Sequence, residues 1–188
     1  MNQVKVTTVI IAMAFLGLTV MACNDEKDNS QNVELSQNDV HVDGNTQNKS
    51  DISVILKNYM ALKDALVIDD NEAAQRAGKI IMNAFKEFDI SGFSKKEQEE
   101  LKDIITDATE HAEHISESPI GHQREHFKIL SQDVIDMEAI TGTKIKLYQD
   151  FCPMYDGGSA WLSMEKEIKN PYFGDKMLTC GKIQKEIN

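Results

Sequence analysis

The sequence predicts a mainly α-helical protein, an antiparallel four-helix bundle on which a small, turn-rich carboxyl-terminal segment of short strands packs. Apolar residues recur at spacings of three and four from Ile52 to Met137, which is the helical period. Start and stop signals divide this stretch into four segments joined by short loops, and short loops favour antiparallel neighbours. After Gly142 apolar and polar residues alternate instead, which is typical of strands.

Each predicted helix begins at a capping signal, and Gly142 ends the last one. The strongest signal is a capping box in which a serine precedes a glutamate by three positions. Pro119 suits the first position of a helix because its missing N–H would have no partner there. In chain order the signals are Ser50 or Asp51, the run Asp69–Glu72, the capping box Ser94–Glu97, and Ser118-Pro119 as N-cap and first residue.

The carboxyl-terminal segment is predicted to hold three short extended pieces separated by turns. These pieces lie at 145–151, 160–162 and 182–187, and the turns contain Asp156-Gly157-Gly158, Asn170-Pro171 and Phe173-Gly174. The segment is too short and too broken for a core of its own, so Trp161, Tyr172 and Phe173 are expected to pack inward on the bundle. Residues 51–188 are therefore expected to form one domain.

The amino terminus resembles a bacterial lipoprotein signal. Lys5 precedes an uncharged, mainly apolar run that ends at the lipobox Val20-Met21-Ala22-Cys23. A transmembrane anchor is the rival interpretation, but the run is short for a span. The resemblance implies cleavage of residues 1–22, acylation of Cys23, and a lipid anchor in the cell envelope, with Asn24 favouring an outer membrane. Residues 23–50 are polar and without period, which predicts a flexible tether.

Composition and motifs exclude several classes of function. The chain of 188 residues has 41% hydrophobic residues and a net charge of −11, so it would repel the phosphates of nucleic acid. It contains no nucleophile elbow, HExxH motif, phosphate loop or cofactor fingerprint. We therefore expect neither a nucleic-acid partner nor an enzyme.

Four histidines lie close together in the sequence, near the junction of the third and fourth helices. His111 and His114 are spaced i, i+3, and His122 and His126 are spaced i, i+4, so each pair shares a helix face. The Ser118-Pro119 turn should bring both pairs to one end of the bundle. Imidazole is the commonest side-chain metal ligand, although helix histidines are often ordinary surface or core residues.

Sulfur-containing residues frame the carboxyl-terminal segment. Cys152 and Met154 form a C-x-M spacing, and Met177 and Cys180 form an M-x-x-C spacing. Thioethers bind Cu(I) far better than they bind hard cations, so this set favours copper or silver. Together with His111, His114 and His126 it predicts a soft-metal site, with Cu(I) favoured.

The two cysteines have an equally simple structural interpretation. Once Cys23 is acylated, Cys152 and Cys180 are the remaining cysteines, and two cysteines outside the cytoplasm commonly form a disulfide. Such a bond would stabilise the segment by roughly 3–4 kcal/mol. The residues alone leave both alternatives open.

The motifs FCPM, WLS, I-x-NPYFG and ML-x-CG, together with HAEHI and QREHF in the helices, resemble an uncharacterised, DUF-type domain. That domain occurs in bacterial envelope lipoproteins and as an extension of copper/silver-efflux periplasmic adaptor proteins. The Cys-Pro-Met opening is also similar to small heavy-metal-binding modules. The resemblance implies copper handling in the envelope, as sequestration or as hand-over to an efflux adaptor. The alternative is a protein-interaction module without metal, stapled by Cys152–Cys180.

Overall fold

The computed structural model describes residues 50–188, and the predicted signal peptide, Cys23 and all but the last residue of the tether lie outside this range. The described part contains four helices, three strands and one 3-10 turn. None of these helices is both long and apolar enough to cross a bilayer. The elements are α1 Ser53–Val67, α2 Asn71–Lys86, α3 Lys95–Glu117, α4 Ile120–Thr141, β1 Leu147–Cys152, β2 Ser159–Ser163, the 3-10 turn Gly174–Lys176, and β3 Lys182–Ile187.

The mainly helical fold with a small carboxyl-terminal sheet confirms the predicted class. The capping box of α3 is complete, because the Ser94 side chain accepts from the Glu97 N–H and the Glu97 carboxylate accepts from the Ser94 N–H. The start of α4 differs from the prediction by one residue. Pro119 occupies the N-cap in an extended conformation and Ile120 is the first helical residue, a shift within the usual uncertainty of helix ends.

Successive helices pack against one another, as in a bundle, around a core of buried aliphatic and aromatic side chains. Gly78 allows a close approach between α2 and α3. A Cβ at this position would lie 3.0 Å from the Ala112 carbonyl oxygen and 3.1 Å from the Ser116 nitrogen. The missing side chain therefore brings α2 directly against the backbone of α3, on the turn that follows His111.

The three strands form one antiparallel sheet in the order β2-β1-β3. Its edge strand β2 packs on α4. The Tyr59 hydroxyl of α1 bonds the Ser131 hydroxyl of α4 at 2.8 Å and accepts from the Leu162 N–H of β2 at 3.1 Å. Trp161 and Tyr172 are buried and Phe173 is half-buried, so the segment packs on the bundle as predicted.

Arg124 attaches the turn at residues 170–174 to the bundle. This nearly buried side chain donates to the carbonyl oxygens of Pro171 and Leu66, at 2.8 and 2.7 Å, and pairs with the Asp69 carboxylate at 2.7 Å. Gly174 has a φ of +55°, and a Cβ there would lie 2.7 Å from the guanidinium. One side chain of α4 thus holds the end of α1 and the carboxyl-terminal segment together.

Candidate metal site

The α3–α4 hairpin brings four imidazoles together near its tip. Only Ser118 and Pro119 separate the two helices, so residues at equal distances from this turn face each other. Gln123 locks the geometry, because its buried side-chain amide donates to the carbonyl oxygens of Ile115 and Asn71 at 3.2 Å each. The expected meeting of the two histidine pairs is therefore present in the structure.

Short nitrogen–nitrogen distances connect the imidazoles. The Nε2 atoms of His122 and His126 lie 3.1 Å apart, and the Nδ1 atoms of His111 and His126 lie 2.8 Å apart. The His114 ring stacks on the His126 ring with a centroid separation of 4.4 Å. One ligand nitrogen from each of His114, His122 and His126 lies within 4.8 Å of the other two, which makes this tri-histidine cluster a candidate metal site.

Electrostatics favour neutral imidazole at the centre of this cluster. Burial lowers the pKa of His126 below its usual value, and the neighbouring imidazoles of His114, His122 and His111 lower it further. A neutral ring keeps a lone pair on one nitrogen, and metal ions bind that lone pair. His114 and His122 are exposed and His126 is half-buried, so the cluster opens to solvent on one side.

Asp107, His111 and Asp133 form a second group of donors beside the first. The Nε2 atom of His111 lies 3.5 Å from the Asp107 carboxylate. Asp133 is only 8% exposed, and burial, together with the charges of Asp107 and Asp136, raises its pKa to about 7. A buried carboxyl group next to an imidazole is a feature that the histidine spacing alone did not reveal.

The sequence prediction missed Asp107 and Asp133, although a helical signal marks both. Asp107 precedes His111 by four residues and Asp133 follows His126 by seven, so each continues its histidine's helix face. Aspartates are frequent on exposed helix faces of an acidic protein. Only the structure shows that Asp133 faces inward.

The predicted sulfur ligands lie in the carboxyl-terminal sheet. Cys152 ends β1 and is buried, Cys180 precedes β3 and is half-buried, and their Sγ atoms are 2.9 Å apart. The hydrogen bond with Cys152 raises the pKa of the Cys180 thiol, and burial adds to this. The structure thus brings the two sulfurs together, as both the metal and the disulfide alternatives require.

The methionines are more exposed than the cysteines that they accompany. Met154 is 64% exposed and Met177 is 37% exposed. Among the described residues, the groups of three or more His, Cys, Asp or Glu donors within 4.8 Å of one another are the two around the histidines, and neither contains a cysteine. A single site that uses both histidine and sulfur ligands stays a prediction.

Comparison with known proteins finds one family model that resembles the helical part. Residues 55–146 match the family model described as a protein of unknown function, DUF3347. The match includes all four histidines of the hairpin and ends just before β1, so it does not extend over Cys152 to Cys180. No curated protein and no solved structure matches the chain.

The family match agrees with the predicted resemblance to an uncharacterised, DUF-type domain for the helical motifs HAEHI and QREHF, whereas the motifs from FCPM to ML-x-CG lie outside it. It says nothing about copper, a lipid anchor or an efflux adaptor. The arguments for function therefore come from the arrangement of side chains in the helical part and in the sheet that follows it.

Proposed function

We propose that this protein binds a copper ion through His114, His122 and His126, and that it sequesters copper in the cell envelope or hands it to an efflux adaptor. The observation that carries the proposal is the convergence of three imidazoles at the tip of the α3–α4 hairpin. In this account the protein has a binding function and catalyses no reaction.

The spacing of the nitrogens suits a bound transition metal. Two imidazole nitrogens at about 2.0–2.1 Å from a tetrahedral ion lie roughly 3.3 Å from each other. The Nε2 atoms of His122 and His126 are 3.1 Å apart, so a small movement places an ion between them. The His114 nitrogen, within 4.8 Å of both, completes a site of three protein ligands that leaves one position open.

Copper is the ion that such a site binds most strongly among the common divalent metals. Affinity for nitrogen ligands rises along the first-row series to Cu²⁺ and falls again at Zn²⁺. Imidazole also binds Cu(I), the state favoured by the predicted sulfur ligands Cys152, Met154, Met177 and Cys180. The resemblance of the sequence to copper-handling envelope proteins supports the same metal.

The position of the site suits exchange with another protein. His114 and His122 are exposed at the tip of a hairpin, where a partner could approach the open side of a bound ion. An acylated Cys23 followed by a polar tether would place this tip within reach of other envelope proteins. A periplasmic copper-efflux adaptor is the partner that the resemblance suggests.

A competition titration tests the proposal. The full-length protein, purified in detergent without chelator, is titrated with copper against a chromophoric chelator in both oxidation states. One equivalent should bind tightly. Replacing a direct ligand, as in His122→Ala or His126→Ala, should weaken the binding of copper by more than the roughly 10- to 100-fold typical of an outer-shell residue.

His41 provides a matched control because it is the fifth histidine of the chain and lies far from the others in sequence. The His41→Ala variant should bind copper as the wild type does. The variant Cys152→Ser/Cys180→Ser separates the two ligand sets. If it loses copper while His122→Ala keeps it, the sulfur residues hold the metal and the histidine site is wrong.

The second candidate function is a protein-interaction module whose carboxyl-terminal segment is stapled by a Cys152–Cys180 disulfide. The observation that favours it is the 2.9 Å separation of the two Sγ atoms at the point where β1 ends and the paired strand β3 begins. Counting reactive thiols in unfolded protein purified without reductant tests it. Absence of thiols from residues 152 and 180 supports the staple, and two reactive thiols contradict it.

A further inference from the structure

A group of two carboxylates and one imidazole lies beside the tri-histidine cluster, one to two helical turns farther from the hairpin tip. Asp107 and His111 lie four residues apart on α3, and Asp133 approaches them from α4. One ligand atom from each residue lies within 4.8 Å of the other two. Asp107 is exposed and His111 is half-buried, so an ion could enter from the Asp107 side.

Asp133 provides the observation that points to a ligand. It is 92% buried, and its Oδ2 atom accepts no hydrogen bond from the described residues. An unpaired buried carboxylate is costly, and proteins compensate it by protonation, by a hydrogen-bond donor, by a positive side chain or by a metal ion. The charges that act on Asp133 are those of Asp107 and Asp136, both negative.

We propose that Asp107, His111 and Asp133 form a second cation site, distinct from the tri-histidine site, for a divalent ion of the zinc type. Two carboxylates and a neutral imidazole carry a charge of −2, which balances a divalent ion. Zinc accepts both oxygen and nitrogen ligands and is satisfied by three protein side chains and a water. Its two oxygen donors make this a harder set of ligands than the all-nitrogen tri-histidine site.

The two sites are linked by the hydrogen bond between His111 and His126. Its Nδ1–Nδ1 distance is 2.8 Å, so one ring must donate and the other accept. The Nε2 atom of His111 faces Asp107 and the Nε2 atom of His126 faces His122. A neutral ring that binds metal through Nε2 carries its proton on Nδ1. If ions filled both sites through Nε2, the two Nδ1–H groups would point at each other and neither could accept the hydrogen bond.

This link determines how the second site is tested. The tri-histidine site is first disabled by His114→Ala/His122→Ala, which changes two exposed side chains and leaves His111 in place. Zinc is then titrated into the full-length double variant against a competing chelator. The site itself does not depend on the proposed copper function, since neither replaced histidine belongs to it.

In this background we expect one equivalent of zinc to bind. Asp107→Asn and Asp133→Asn should each weaken its binding by more than the roughly 10- to 100-fold typical of an outer-shell residue. Asp103→Asn is the matched control because Asp103 is an exposed aspartate one turn earlier on α3. It should leave zinc binding unchanged.

Folding is checked by circular dichroism and thermal melting, and Asp107→Asn keeps the test valid because an exposed side chain contributes little to stability. Zinc affinity that is unchanged in either aspartate variant would overturn the three-ligand site. So would the lack of zinc binding in the folded double variant. Failure of the proposed copper site would appear separately, as tight copper binding that survives His114→Ala/His122→Ala.

Discussion

The Tyr59 hydroxyl links three parts of the fold, so its removal provides a sharp test of how the sheet is attached. Tyr59 is fully buried on α1 and bonds Ser131 on α4 and the Leu162 N–H on the edge strand β2. The change Tyr59→Phe keeps the ring, which stacks on Phe127 at a centroid distance of 5.3 Å. It therefore removes two hydrogen bonds and little packing.

The expected loss of stability follows from the polar groups that lose their hydrogen-bond partner. The Leu162 N–H and the Ser131 hydroxyl would both lose this buried partner, and an unsatisfied buried polar group costs roughly 1–3 kcal/mol. We expect Tyr59→Phe to lower the free energy of unfolding by about 2–4 kcal/mol. With about 3 °C per kcal/mol for a domain of this size, the melting temperature should fall by roughly 6–12 °C.

The assay is urea unfolding followed by circular dichroism and Trp161 fluorescence. Tyr155→Phe is the control, because it deletes the same hydroxyl from a half-buried ring, and it should cost less than about 1 kcal/mol. Ser131→Ala and the double variant complete a cycle that measures the coupling of the two hydroxyls. A cost below about 1 kcal/mol for Tyr59→Phe, with no coupling to Ser131, would refute this account of the sheet's attachment.

Two further predictions concern the turn at Gly174 and the buried Asp150. Gly174→Ala should destabilise the protein by about 2–4 kcal/mol in urea unfolding, because its positive φ is strained for alanine and the Cβ would displace the Asp69–Arg124 pair. Gly121→Ala, where a Cβ meets nothing, should be neutral or slightly stabilising, and equal costs for the two changes would contradict this explanation. Burial raises the pKa of Asp150 to about 7. Between about pH 4 and 7 the carboxyl group is therefore ionised in the unfolded chain but still protonated in the folded protein. The free energy of unfolding falls as the pH rises through this range. Asp150→Asn should remove this pH dependence, so the variant should be more stable than the wild type by at most about 4 kcal/mol above pH 7 and equally stable at pH 3. A difference in unfolding free energy that does not change with pH would contradict this prediction.

Much of the fold could be predicted because its signals are local. The capping box at Ser94, the turn at Ser118-Pro119 and the change of period after Gly142 each depend on residues within a few positions of one another. The start of α4 was predicted one residue early because Pro119 can occupy either the N-cap or the first helical position. The order β2-β1-β3 could not be derived, since it depends on pairing across 30 residues or more.

The candidate site was predictable in part for the same reason. Two histidine pairs flanking a two-residue turn must meet, and sequence spacing is enough to show it. Asp107 and Asp133 were missed as members of the candidate site, because the sequence does not show that the face of α4 that carries Asp133 is buried. The closeness of Cys152 and Cys180 was expected, but spacing alone does not distinguish thiolate ligands from a disulfide.

The central claim is that imidazoles of the α3–α4 hairpin hold copper, and X-ray absorption at the copper edge of the protein loaded with one equivalent tests it most directly. Imidazole nitrogens scatter from about 2.0 Å and sulfur ligands from about 2.3 Å, so the first shell distinguishes the two sets. We predict about three imidazole nitrogens and a spectrum that changes in His122→Ala but not in Cys152→Ser/Cys180→Ser. A first shell of sulfur alone, unchanged in His122→Ala, would contradict the account.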